Sequence, residues 1–251
     1  MFILNFDFLN KNISIYYQNQ IVMKIFKTSL LSIISLLLMG SCGTSYFSNN
    51  SSRTKTGVKD SLFRVKVSYD LSDDLCTIFK DGDVSVVIEI PIGTSEKWEL
   101  DKSDNKIKQE VINSFPRIIN YIGYPCNYGM IPKTLLSKES GGDNDPLDVL
   151  VLGDPLIRGS VVKCKLIGLL KLIDGGEKDY KLIAVKNGTP FYKLNSLKDL
   201  RENYNGIMEI LELWFTNYKG LYKTYSKGFE DRDYAYEILN HGINSFNRYN
   251  P

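Results

Sequence analysis

The sequence predicts a mainly β fold with flanking helices, of the α+β class, on three observations. Short β-branched runs recur between residues 63 and 185, parted by Gly, Pro and Asp turns. Three-and-four spacing of apolar residues enters only late, over residues 207–218 and 231–245. The 251-residue chain shows no internal repeat, and from residue 60 onward it offers about 190 residues, the size of one domain.

The front of the chain reads separately. Residues 1–22 precede Met23-Lys24, which has the look of a start site, and are expected to be a non-native or disordered extension. Lys24 and Lys27 lead into an apolar run from Leu30 to Met39, broken only by Ser32 and Ser35 and closed by Gly40-Ser41-Cys42. A basic start, a short apolar centre and small residues make an export signal, whereas a membrane span needs about 20 apolar residues. Small residues placed directly before a cysteine resemble a bacterial lipoprotein signal over 23–42. That implies an exported protein held by lipid at Cys42 on the periplasmic or surface face, or a cytoplasmic one if the signal is unused. Residues 43–59, rich in Ser, Asn and Thr, read as a flexible tether, and 60–251 as the folded domain.

Charge excludes one class of partner. The chain holds 31 Lys and Arg against 29 Asp and Glu, and removing residues 1–42 takes away Lys11, Lys24, Lys27 and Asp7, which brings the signs into balance. Nucleic-acid binding wants a basic excess or stripe, so it has no support. Cys76, Cys126 and Cys164 are odd in number and widely spaced, and read as small buried hydrophobes rather than a disulfide framework.

In the domain, the expected strands are Phe63 to Val67, Val84 to Ile90, Arg117 to Tyr121, Val149 to Leu152, Val161 to Leu172 and Tyr180 to Val185. Turn-linked short strands point to a mainly antiparallel barrel or sandwich. A first helix is expected over Ile207 to Tyr218. In a second, over Asp231 to Ser245, Ala235, Ile238, Leu239, Gly242, Ile243 and Phe246 share one face.

The chemistry centres on Gly141 to Gly153. Asp143, Asp145 and Asp148 run straight into the apolar segment Val149 to Leu152. Like charges beside a core disfavour their own ionised forms, so a compensating hard cation such as Mg2+, Mn2+ or Ca2+ would suit these oxygen ligands. A solvated acidic turn is the competing reading. An EF-hand is excluded, because Asp148 stands where its loop needs Gly. Glu89 lies inside the apolar run Val86 to Pro91, where a surface strand does not explain it, and Lys97 and Glu99 share one face of an extended segment. Asp174, Asp179 and Lys181 form a second acidic hairpin between two apolar strands. The single histidine, His241, falls on the expected C-terminal helix, so neither a Ser-His-Asp triad nor a His-rich zinc site is available, and no Gly-rich phosphate loop is present. The inventory suits divalent cations bridging a highly charged oxyanion.

These residues also carry a resemblance. Val87-Ile88-Glu89-Ile90-Pro91, Lys97-x-Glu99, Tyr124-Pro125-x-Asn127-Tyr128-Gly129, Asp143-x-Asp145-Pro146-x-Asp148-Val149, Asp174 with Asp179-x-Lys181, and Tyr218-Lys219 resemble the soluble family I inorganic pyrophosphatases in order and spacing. The resemblance implies an OB-like five-stranded barrel with flanking helices, a homo-oligomer, and Mg2+-dependent hydrolysis of pyrophosphate with Mn2+ as a substitute cation. It makes Glu89, Asp143, Asp148, Asp174 and Asp179 metal ligands, and Asp145 the base that accepts or orients the proton of the attacking water. Lys97, Arg117, Tyr128, Lys181, Tyr218 and Lys219 become phosphate-binding residues, Tyr128 and Lys219 close to the chemistry, with Glu99 in support. Two departures stand out: Asn144 replaces a Gly common between the first two aspartates, and Arg117 sits about one residue away from the family's arginine position. Two other readings compete: hydrolysis of a different phosphoanhydride on the same fold, and a non-catalytic metal-binding lipoprotein.

Overall fold

The computed structural model describes residues 64–66, 75–101 and 106–249. The expected extension, export signal with Cys42 and tether lie outside the described residues, as do Phe63 and Val67 of the first expected strand.

Among the described residues, twelve strands and three α-helices follow in order. They are β1 (Arg64–Lys66), β2 (Val84–Ile90), β3 (Trp98–Asp101), β4 (Lys106–Gln109), β5 (Val111–Ile112), β6 (Phe115–Pro116), β7 (Asn127–Met130), β8 (Asp148–Leu152), β9 (Val161–Asp174), β10 (Glu177–Lys178), β11 (Lys181–Lys186), α1 (Leu197–Asn203), α2 (Ile207–Asn217), β12 (Thr224–Glu230) and α3 (Arg232–Tyr249).

Strands β2, β7, β8, β11 and β9 pair in succession, and β9 returns to β2 through Val84↔Cys164 to Val87↔Val161, closing a five-stranded ring. The long β9 makes this closure possible: its start pairs with β2, its middle with β11, and its end with β12 and β10. Closure removes exposed strand edges from the core sheet. All neighbours in the ring are antiparallel except β8 and β11, which run parallel with Asp148 opposite Lys181.

Both faces of β2, β8 and β11 are buried along nearly their whole length, which is why they read as near-continuous apolar runs rather than alternating ones. On β8 and β11, Leu150, Leu152, Ile183 and Val185 join a core with Leu200, Leu211 and Phe215 of α1 and α2. Their neighbours Val149, Val151, Leu182 and Ala184 join a second core with Ala235 and Leu239 of α3. Gly129 is required where β7 crosses β2: a methyl group there would stand 2.0 Å from the Val87 carbonyl oxygen. Ser196 starts α1 by accepting a 3.0 Å bond from the Asp199 amide.

Two expectations need correction. Arg117 to Tyr121 is not a strand: only Ile118 bridges, to Glu96, while the Arg117 and Ile119 amides bond to Glu110 and Ser95. Ile119 is buried in the core while Ile118 is 54% exposed, and beyond the single bridge no ladder among the described residues pairs the segment with a neighbouring strand. The end of the segment Tyr124 to Gly129 forms the buried β7. Cys126 and Cys164 are buried free thiols as expected, whereas Cys76 is exposed. The expected extended segment at Lys97 to Leu100 forms β3 and pairs with β4, while β4, α1 and β12 have no counterpart among the expected elements, and α3 continues to Tyr249, past Ser245.

Candidate active site

At one end of the barrel lies an open cavity of about 250 Å³, and every candidate residue named from the sequence lines it. Its floor follows from strand register. The parallel β8–β11 pairing sets Asp148 beside Lys181, and the buried Lys181 ammonium donates to the carboxylates of Asp148 and, at 2.6 Å, Asp179. It also donates to the Tyr128 hydroxyl at 3.0 Å. Burial works against the lysine's charge, but Asp148 and Asp179 hold its pKa well above the usual value. Burial likewise disfavours the Asp179 carboxylate, and the Lys181 charge and hydrogen bond outweigh it and pull the pKa down. Tyr128, on β7, is driven well above the usual phenol range by burial and by the charges of Asp148 and Asp179, so it stays a neutral donor.

The acidic turn forms one wall. The Asp143 carboxylate accepts the Asp145 amide at 2.9 Å, and the Leu136 amide donates to the Asp145 carbonyl at 2.9 Å. Asn144 adopts φ 68°, a left-handed conformation that Gly favours and Asn tolerates. Its side-chain oxygen accepts the Lys138 amide at 2.9 Å, so the departure at this position is accommodated. Burial raises the Asp143 pKa, and the charges of Asp145, Asp148 and Asp179 add to it against the Asp145 amide.

Glu89 enters from β2 at a register shift between Ile88 and Ile90, which turns its side chain off the ladder. The carboxylate accepts the Leu100 amide at 2.7 Å. Its pKa is pushed up to about 7, by burial first, with Lys97 opposing and Asp148 adding. Arg158 braces this corner, donating to the Glu89 carbonyl at 3.0 Å and to Glu96 at 3.1 Å while its guanidinium lies 4.2 Å from the centre of the Trp98 ring.

Cations and phenols complete the site. Lys97 stands 3.6 Å from the half-exposed Glu99, and its ammonium lies 5.4 Å from the centre of the Tyr128 ring. Arg117 donates to Glu110 at 2.6 Å. Tyr218, just past α2, stacks on Trp214 with centroids 4.5 Å apart, and the next residue, Lys219, pairs with Asp174. Asp174 also accepts the Thr224 hydroxyl at 3.0 Å from β12.

Among the described residues no three acidic, His or Cys side chains converge on one point, and Lys181 stands between Asp148 and Asp179. The donor set nevertheless fits a hard divalent cation: it is all carboxylate, and Asp143 and Glu89 have charged forms disfavoured by burial and by neighbouring carboxylates. Glu177 and Lys178 also line the cavity and were not singled out from the sequence. Their position inside the charged hairpin from Asp174 to Lys181 was the available signal.

A protein-family model described as inorganic pyrophosphatase matches residues 86–247. The soluble inorganic pyrophosphatase of Zea mays is 36% identical over 156 residues, covering 62% of this chain and 64% of that protein. The inorganic pyrophosphatase of Halalkalibacterium halodurans is 37% identical over 160 residues, covering 62% of this chain and 90% of that protein. The chain thus spans less than two thirds of the plant relative and most of the bacterial one. Among solved structures, inorganic pyrophosphatase from Schistosoma japonicum aligns with a TM-score of 0.66 at 30% identity, covering 69% of each chain. That from Helicobacter pylori aligns with a TM-score of 0.60 at 31% identity, covering 70% of this chain and 99% of the other.

Proposed function

The chain belongs to the inorganic pyrophosphatase family, and from that premise we propose that it hydrolyses pyrophosphate to two phosphates with Mg2+ as the cation, Mn2+ being able to replace it. One observation carries this reading: carboxylates from β2, the acidic turn and the second hairpin share a single cavity with Lys97, Arg117, Lys181 and Lys219. A site for a phosphoanhydride needs both sets, since metal ions and basic side chains together must offset its charge.

In this reading Glu89, Asp143, Asp148, Asp174 and Asp179 would hold the cations. When bound, divalent cations would neutralise the anion and acidify the attacking water. Asp145 would orient that water and take its proton at the carboxylate. Lys97, Arg117, Lys181, Tyr218 and Lys219 would hold phosphoryl oxygens, and Tyr128, neutral through burial, would donate a hydrogen bond. Glu99 would steady Lys97. Because Lys181 and Lys219 pair with Asp179 and Asp174, lysine release toward substrate and carboxylate release toward cations are linked. The test is phosphate release by the purified full chain from pyrophosphate, tripolyphosphate and a nucleoside triphosphate in Mg2+. Preference for pyrophosphate is expected, and preference for another substrate would sink the assignment.

The same reading includes a homo-oligomer, checked by light scattering, and export with a lipid anchor at Cys42. Mass spectrometry of the mature N-terminus decides the anchor: a diacylated Cys42 supports it, and an unprocessed Met start refutes it.

A further inference from the structure

We propose that Lys178 is a further substrate-binding residue, contributing a cation to the phosphoryl oxygens that none of the other pocket cations supplies. The inference rests on the pyrophosphatase reading of the cavity and extends it.

The other cavity cations are all engaged by carboxylates: Lys97 with Glu99, Arg117 with Glu110, Lys181 with Asp148 and Asp179, and Lys219 with Asp174. To hold an anion each must leave or share a carboxylate. Lys178 lines the same cavity, and among the described residues its ammonium has no ion pair.

Its place is also set by the fold. The Lys178 amide donates to the Gly141 carbonyl at 2.7 Å, which docks the hairpin onto the loop that leads to Asp143. Its neighbour Glu177 accepts the Lys138 ammonium at 2.9 Å, fastening the two loops a second time. Gly141 adopts φ 84°, and a methyl group there would stand 3.6 Å from Lys178 Cε, so the aliphatic stem lies along the bare backbone of that glycine. A half-buried stem laid on a docked loop gives up little freedom when its ammonium meets an anion. An unpaired ammonium also binds without first breaking an ion pair, and pyrophosphate, with about three to four negative charges near neutrality, leaves oxygens for a fifth basic group.

Lys178→Met keeps the stem and removes the charge, and Lys178→Arg returns a charge at the same place. The full chain is assayed with pyrophosphate in Mg2+, and in parallel inorganic phosphate with Mg2+ is titrated by calorimetry. For Lys178→Met, KM is expected to rise about tenfold, the fold-change of one hydrogen bond to a charged group. The change in kcat should be much smaller, phosphate affinity should fall in parallel, and Lys178→Arg should recover most of both. Unchanged KM and phosphate affinity in Lys178→Met, beside an active wild type, would overturn the inference and leave the function standing. Equal losses in kcat for both variants, with lower melting temperatures, would overturn it in favour of a structural role. A wild type that does not hydrolyse pyrophosphate refutes the proposed function instead, and the phosphate titration then decides on Lys178 by itself.

Discussion

Glu89→Gln exposes the electrostatic load that the site places on the fold. Glu89 is a buried carboxylate whose pKa stands at about 7 against an ordinary 4.5. At about 1.4 kcal/mol per pH unit, that rise amounts to about 3 kcal/mol. The folded-state pKa lies above the unfolded one, so the folded protein binds the proton more tightly. Its contribution is fully present below pH 4.5, is lost as pH rises to about 7, and is then constant. Glutamine is neutral, accepts the Leu100 amide as the acid does, and carries no such dependence. Urea unfolding of both proteins in EDTA at pH 4.5 and pH 8 measures the difference. Relative to wild type, Glu89→Gln should gain about 3 kcal/mol between the two conditions, because titrations elsewhere cancel in the comparison. A gain below about 1 kcal/mol would mean that the Glu89 carboxylate is not desolvated by this cavity.

Asp145→Asn removes the proposed proton acceptor and should reduce pyrophosphate turnover about a hundredfold or more while leaving Mg2+ binding by calorimetry intact; near wild-type turnover would show the base to be elsewhere. Lys181→Met leaves Asp148 and Asp179 facing each other without their shared cation, and urea unfolding in EDTA at pH 7 should show a loss of about 3 to 5 kcal/mol. Adding Mg2+ should recover part of it, and a loss without any recovery would argue against cation binding there. Arg158→Met removes the ion pair to Glu96, the bond to the Glu89 carbonyl and the stack on Trp98, for a loss of about 2 kcal/mol in the same measurement. Arg158→Lys should not restore it, since only the planar fork can stack and bond at once.

The order of polar motifs was legible in the sequence because each carries its chemistry locally: the three aspartates of the turn, the carboxylate inside β2, the charged hairpin before β11. Strand positions were legible where both faces are buried, as in Val84–Ile90. Register was not. Nothing local to Asp148 or Lys181 shows that β8 and β11 run parallel with these residues side by side, or that the Glu89 bulge turns its side chain into the same cavity. The β-branched residues of Arg117 to Tyr121 favour a strand locally but have no partner strand among the described residues, and the segment is held instead by isolated hydrogen bonds with Glu110, Lys97 and Ser95. A hairpin lysine such as Lys178 is usually solvated, and only the docking of β10 onto Gly141 places it at the cavity.

That these residues form one cation-dependent site for a phosphoanhydride is tested most directly by pyrophosphate turnover of the wild-type full chain in Mg2+, in EDTA, and after Mg2+ is restored. Turnover should be present with the cation, absent in EDTA and recovered on restoration. Turnover that persists in EDTA, or none in any condition, would contradict it.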